Sequence, residues 1–217
     1  ADTLIVGQCI GSGALAAVGS AYTLMVFLIS ILLGLSMGSG TVFSLQYGAG
    51  RMKALRRSIY VSAVLIGTVT IVLNIAALSF IHPILKLLQI PDDIYQMMYD
   101  YLWIIFWGIG FTFIYNFYAA LLRAIGNAVT PLYFLAISVV LNIGLDLFFI
   151  LLLDWGIKGA AIATIIAQGV SALGIMGYTY AKCPELRLHR NDLHFDRHCL
   201  KEITSFSTLT CIQQSVM

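Results

Sequence analysis

The 217 residues are 60% apolar and only 10% charged, where a soluble domain carries about 25% charged residues. A soluble core of this length has no room for so much apolar surface, and left exposed it would aggregate, so a mean hydropathy of +0.93 makes lipid the solvent that fits. A net charge of +2 is too small to indicate a nucleic-acid partner, and the scattered Cys9, Cys183, Cys199 and Cys211 form neither a disulfide framework nor a zinc ribbon.

The chain opens at Ala1-Asp2-Thr3 with no Met and no charged leader. It stops at Met217 inside an apolar stretch, so both ends read as cut and the sequence as a fragment. Residues 1–8 have the character of a helix tail. Five long apolar runs follow, at about 14–47, 55–81, 95–123, 131–153 and 157–181, each able to cross a layer that needs about 20 helical residues. Runs of that length without turn signals are helices rather than strands, and in lipid a helix satisfies every backbone amide.

The first run is too long for a straight crossing at about 1.5 Å per residue. It must tilt, bend or protrude, and Gly34, Gly38 and Gly40 offer places where a neighbouring helix can approach or the helix can flex. Residues 83–89 suit a short interfacial helix. Pro91-Asp92-Asp93 suits the start of the third run, and Thr130-Pro131 the start of the fourth, with Thr capping and Pro in the first turn. Trp155 sits at the outer end of the fourth run, where amphipathic rings favour the interface. Segment 184–202 is the one solvated stretch and is expected to be a cytoplasmic linker. Residues 203–217 look like the head of a further helix.

Charge alternates along the connections. Loops 48–57, 123–130 and 182–202 hold ten of the twelve Lys and Arg residues, and the intervening loops hold only Lys86 and Lys158. Every second loop is basic, as five successive crossings require. The positive-inside rule then places those three loops in the cytoplasm, for a protein of a bacterial-type plasma (inner) membrane.

Asp146 is the informative acid. It lies inside the fourth run, where a charged carboxylate costs about 2.5–3.5 kcal/mol on insertion scales. Ser138, Asn142 and Asp146 are spaced four apart, so they form one polar stripe that should face the bundle interior. Thr164 lies at a matching depth on the next, antiparallel run, and both it and Asp146 fall about 10 Å below the outer surface. Gln168 is one turn deeper, and Asp2 can reach the same zone. Such a set either passes a proton through a desolvated carboxyl or holds sodium with carboxylate, amide and hydroxyl oxygens at Asp2, Asn142, Asp146 and Thr164; the residues alone leave both open. Asn116, about 10 Å from the inner end of its run, is a secondary candidate. Asp100, near the outer start, reads as solvated.

Other signals are weaker. Gly11-Ser12-Gly13 lacks the preceding strand of a dinucleotide loop. His189, His194, His198 and Cys199 cluster in the linker, where zinc is one reading and a solvated linker the plainer one. Trp107, with Trp103 and Tyr99, shares a face suited to stacking on aromatic or cationic drugs or to ordinary packing. Gln168, Ser138 and Trp107 are the candidates for a substrate cavity.

The chain resembles the multidrug and toxic compound extrusion (MATE) transporters over essentially its whole length. The resemblance rests on Asp2-Thr3-Leu4-Ile5-Val6-Gly7, Ala14-Leu15-Ala16-Ala17-Val18-Gly19, Gln46-Tyr47-Gly48-Ala49-Gly50, Arg123-Ala124-Ile125-Gly126-Asn127, Asn142 to Asp146, and Trp155 to Thr164, in that order and spacing. It implies an all-α polytopic membrane protein: a six-helix lobe, 1–183, of a twelve-helix, two-lobe transporter, here lacking most of its first helix. It implies a second lobe as partner and export of small organic cations or drugs in exchange for protons or sodium by rocking of the lobes, with no cofactor beyond the coupling ion. The family's amino-terminal cation site maps onto Asp2, Asn142, Asp146 and Thr164, with Asn116 less surely placed. Near residue 208 the family usually shows a Pro, whereas this chain reads Ser207-Thr208-Leu209.

Two alternatives stand beside it. A lipid-linked oligosaccharide flippase of the same superfamily would line its cavity with basic side chains, and none lies within a run core here. A membrane-embedded enzyme would need a nucleophile and base, or a metal triad, at one depth, yet no His lies inside a run.

Overall fold

The computed structural model describes Gly7 and residues 12–87, 90, 92–188 and 197–216, and among these the regular structure is entirely helical. Among the described residues the α-helices are, in chain order, α1 (Ser12–Gly48), α2 (Met52–Ser79), α3 (Ile81–Leu87), α4 (Asp92–Trp107), α5 (Ile109–Ala124), α6 (Val129–Leu147), α7 (Gly156–Lys182) and α8 (Arg197–Val216). A π-helical turn, Phe148–Leu152, extends α6, and a 3₁₀ turn, Pro184–Leu186, follows α7.

Among the described residues, four stretches are long and apolar enough to cross a membrane: Leu24–Gly48, Met52–Ser79, Val129–Leu152 and Gly156–Lys182. The bent pair Ile94–Trp107 and Ile109–Ala124 makes a fifth if its halves form one crossing. The sequence predicts that pair as one run, 95–123; the structure breaks it by 42° at Gly108. The Gly108 N–H donates to the Ile105 carbonyl at 2.8 Å, and Asn74 of α2 donates its side-chain amide to the Phe106 carbonyl. A carbonyl released from its helical ladder inside an apolar layer needs such a partner.

Small residues set the packing. In lipid, helices associate through close van der Waals contact, and most of the buried residues of α7 are small, among them Gly159, Ala160, Ala161, Ala163, Ala167, Gly169 and Ala172, with α4, α5 and α6 packed against that helix. α1 runs as one continuous helix, and Gly38 and Gly40 serve approach. A Cβ at Gly38 would lie 2.4 Å from Ser207 Cα of α8, and one at Gly40 would lie 3.3 Å from Ala120 Cβ of α5. The main core gathers Leu32, Phe43, Leu55, Ile66, Met98, Phe106 and Leu122, and a smaller cluster of Val42, Val61, Cys199 and Ile203 joins α1, α2 and α8.

Two boundaries differ from the sequence reading. α8 begins at Arg197, inside the stretch expected as linker, because Cys199, Ile203 and the small Ser207 fall at helical spacing and pack inward despite the charges between them. At the start of α6, Thr130 does not cap: its N–H donates to Asn127 Oδ1 at 3.1 Å, so the Asn side chain satisfies the first turn.

Candidate functional site

α6 packs through one face only. Pro131, Phe134, Ser138, Asn142, Asp146 and Ile150 recur every three or four residues and are buried or half-buried, while the intervening apolar residues are largely exposed. The polar stripe therefore lies on the packed face, with Asp146 at 0% exposure. The Asn142 carboxamide donates to Thr164 Oγ1 at 3.3 Å across the α6–α7 contact, and Thr164 donates to the Ala160 carbonyl at 2.9 Å. Two residues after Asp146 the helix widens into the π turn, and beyond that turn the Trp155 N–H reaches the Phe149 carbonyl at 3.0 Å and the two rings stack 5.1 Å apart. Such a turn re-aims the side chains around it and is frequent at functional positions. Nothing in Phe148-Phe149-Ile150-Leu151-Leu152 signals it.

A second polar set lies toward the basic end of the bundle. A cavity of about 290 Å³ opens between α1, α5, α6 and α7, bounded by Asn116, Ser138 and Gln168 among others. Thr112 donates to Gln168 Oε1 at 3.2 Å and Asn116 donates to the Thr112 carbonyl at 2.8 Å. Ser171 donates to the Phe134 carbonyl at 3.0 Å, and Tyr115 to the Pro131 carbonyl at 2.9 Å. Gly108 at the break admits Gln168, since a Cβ there would lie 3.3 Å from Gln168 Oε1. Ser138 is two helical turns from Asp146, about 12 Å along α6. The structure thus groups Asn116 with Ser138 and Gln168, and Asn142 with Thr164 beside Asp146.

Other sequence candidates are placed as follows. Trp107 is exposed, packs edge-on against Trp103 with centroids 6.1 Å apart, and does not bound that cavity. Asp100 is ion-paired rather than merely solvated, with its Oδ2 3.1 Å from Lys158 Nζ and its Oδ1 accepting from Gln96. Asp2, His189 and His194 lie outside the described residues, as does the His198 side chain; Cys199 is buried with its Sγ 3.0 Å from Ser58 Oγ. No group of three metal-ligating side chains occurs among the described residues. Sequence reasoning missed Thr112, Tyr115 and Asn74. Thr112 and Asn116 stand four apart in an apolar run, the same signal that exposed the α6 stripe.

These helices define a polytopic α-helical membrane protein, and comparison with known proteins narrows the class. The MatE family model matches residues 1–148. The probable multidrug resistance protein YpnP of Bacillus subtilis is 37% identical over 172 residues, covering 79% of this chain and 39% of its own. An FAD transporter of Shewanella oneidensis is 27% identical over 190 residues, covering 82% of this chain and 40% of its own. The fold matches a solved inward-facing multidrug resistance MATE family transporter of the MOP superfamily with TM-score 0.92 at 23% identity, over 98% of this chain and 49% of that one. It matches MATE in a bent conformation with TM-score 0.94 at 23% identity, over 100% and 48%. The chain spans about two-fifths of the length of the curated relatives it matches and about half of the solved chains. The chain belongs to the MatE family, whose members are transporters rather than enzymes.

Proposed function

We propose that this chain carries the cation-coupling lobe of a secondary active antiporter that exports small organic cations or drugs in exchange for protons or sodium. The observation that carries this reading is Asp146, fully buried on the packed face of a candidate membrane span, one turn from the Asn142–Thr164 hydrogen bond. A carboxyl held away from water there is costly, and its use is to bind a cation that is released when a cavity opens. Asp146, Asn142 and Thr164, joined by Asp2, make the coupling set, with Asn116 an outlying member. The cavity at Asn116, Ser138 and Gln168 is the site for the organic substrate, which it would hold through amide and hydroxyl groups against apolar walls. The second lobe, rocking against this one, would supply the remainder of the path, with loops 48–57, 123–130 and 182–202 on the cytoplasmic side of the plasma membrane.

Among the described residues no Lys or Arg bounds the cavity, so the oligosaccharide flippase is not favoured. The test is the full-length protein in everted vesicles. Drug addition should dissipate an imposed proton or sodium gradient, omission of sodium distinguishes the two ions, and Asp146→Asn should abolish the response. Unchanged exchange by Asp146→Asn would reject the coupling site.

A further inference from the structure

In the cavity between α1, α5, α6 and α7, one residue fixes which polar ends stay free. The Thr112 carbonyl can only accept, so the Asn116 amide group that meets it at 2.8 Å is the NH2, and Oδ1 is the end left over. The Thr112 hydroxyl has a single proton to give. The Gly108 carbonyl, 3.4 Å away, already accepts from the Phe111 and Thr112 N–H groups, whereas Gln168 Oε1 is nearer at 3.2 Å. The proton therefore goes to Gln168 Oε1, and the Gln168 NH2 is the end left over. Asn116 Oδ1, Gln168 Nε2 and the Ser138 hydroxyl have no hydrogen-bond partner among the described residues, and none of them is sealed from solvent.

The cavity thus offers an amide acceptor and an amide donor held by the same threonine, with a hydroxyl that can give or take. Phe111 and Tyr115, four apart on α5, bring two rings to the same wall. The Tyr115 hydroxyl is committed to the Pro131 carbonyl, so this residue lends an aromatic surface. Among the described residues no charged side chain lines the space. A ring carrying its own positive charge would lose hydration here and meet no counter-charge. A secondary lactam, with N–H and C=O side by side in an uncharged ring, satisfies both amide ends together.

We propose that this cavity selects planar rings bearing a secondary lactam, any positive charge of the substrate being carried on a substituent outside it. The selection rests on the reading of this cavity as the substrate site and narrows the class of drug that the site takes.

The full-length protein in nanodiscs is titrated with isocarbostyril (an uncharged bicyclic lactam), its N-methyl derivative and the N-methylisoquinolinium cation, with empty nanodiscs subtracted. Isocarbostyril should bind about tenfold tighter than the N-methyl derivative, which has no N–H for Asn116 Oδ1. Methylation favours entry into lipid, so the bilayer works against that order. The cation should bind more weakly than isocarbostyril. Asn116→Leu should bring the two uncharged ligands to equal affinity. Gln168→Met should weaken both alike and preserve their ratio, because both keep the carbonyl. Equal binding of the two by the unaltered protein, or tightest binding of the cation, overturns the proposal without recourse to any variant, and so does a ratio that survives Asn116→Leu. Failure of the transport reading is distinguishable: an intact lactam preference with no drug-driven loss of an ion gradient in vesicles would reject the antiporter and leave the lactam site standing, and drug-driven loss without that preference would reject the lactam site alone.

Discussion

The Asn142 carboxamide donates to the Thr164 hydroxyl across 3.3 Å, tying α6 to α7 one helical turn from Asp146. Thr164→Val keeps the shape and removes the acceptor, leaving a half-buried amide N–H without its partner. The expected loss is about 1–3 kcal/mol, read as a lower melting temperature in detergent together with weaker ion-driven efflux in vesicles. Thr164→Ser, which keeps the hydroxyl, should retain most of both. Full activity in the Val variant would remove Thr164 from the coupling set.

Gly38 and Ser207 bring α1 and α8 into backbone contact. A Cβ at Gly38 would meet Ser207 Cα at 2.4 Å and its N at 2.6 Å, and backbone atoms yield only if the helices part. Gly38→Ala should therefore destabilise by about 1–3 kcal/mol, the usual range for overpacking. Gly48→Ala is the control, because nothing lies within 4 Å of a Cβ there. Thermal melts of the two variants side by side decide the point.

Gly108 has a narrower effect. An added Cβ would sit 3.0 Å from the Ile105 oxygen and Ile165 Cγ1, and 3.3 Å from Gln168 Oε1. Gly108→Ala should push Gln168 off its contact with Thr112 and weaken binding of a fluorescent organic cation by roughly fivefold, about 1 kcal/mol. Ion binding at Asp146, which lies two turns along α6 from Ser138 on the cavity wall, should change little. Loss of both together would contradict the separation of the two polar sets.

Cys183 caps α7, outside the apolar span. Burial first, and the nearby Glu185 carboxylate second, hold its thiol pKa above the usual value. The thiolate is the reactive form, so with the other three cysteines replaced by Ser, maleimide labelling at neutral pH should be slow and should accelerate as pH rises. Glu185→Gln lowers the pKa and should speed labelling at a fixed pH. An unchanged or slower rate would show that Glu185 does not act on this thiol.

The spans were legible because their signal is cumulative: some twenty apolar residues outweigh any single exception. The α6 stripe was legible for the opposite reason, since Ser138, Asn142 and Asp146 are conspicuous in so apolar a setting. What escaped detection depends on one residue or on a partner. Gly108 looks like any glycine in an apolar run, and only the Asn74 amide and the packing of Gln168 turn it into a break. The α8 start was missed because Arg197, Lys201 and Glu202 mask an inward face that becomes apolar only when α1 and α2 are present to cover it. The cavity at Asn116 joins four helices, and a depth count along one helix at a time does not show which of them converge.

The hydrogen bond from Asn74 to the Phe106 carbonyl has a mechanical corollary. The crook between α4 and α5 is not a free joint, because the oxygen it exposes is held by a side chain of α2. With no water at that depth to take the amide's place, straightening or swinging either half must first break this tether or carry α2 along. Displacement of α4 is thereby relayed sideways to a helix that is distant in sequence, through one carboxamide rather than through the continuous backbone.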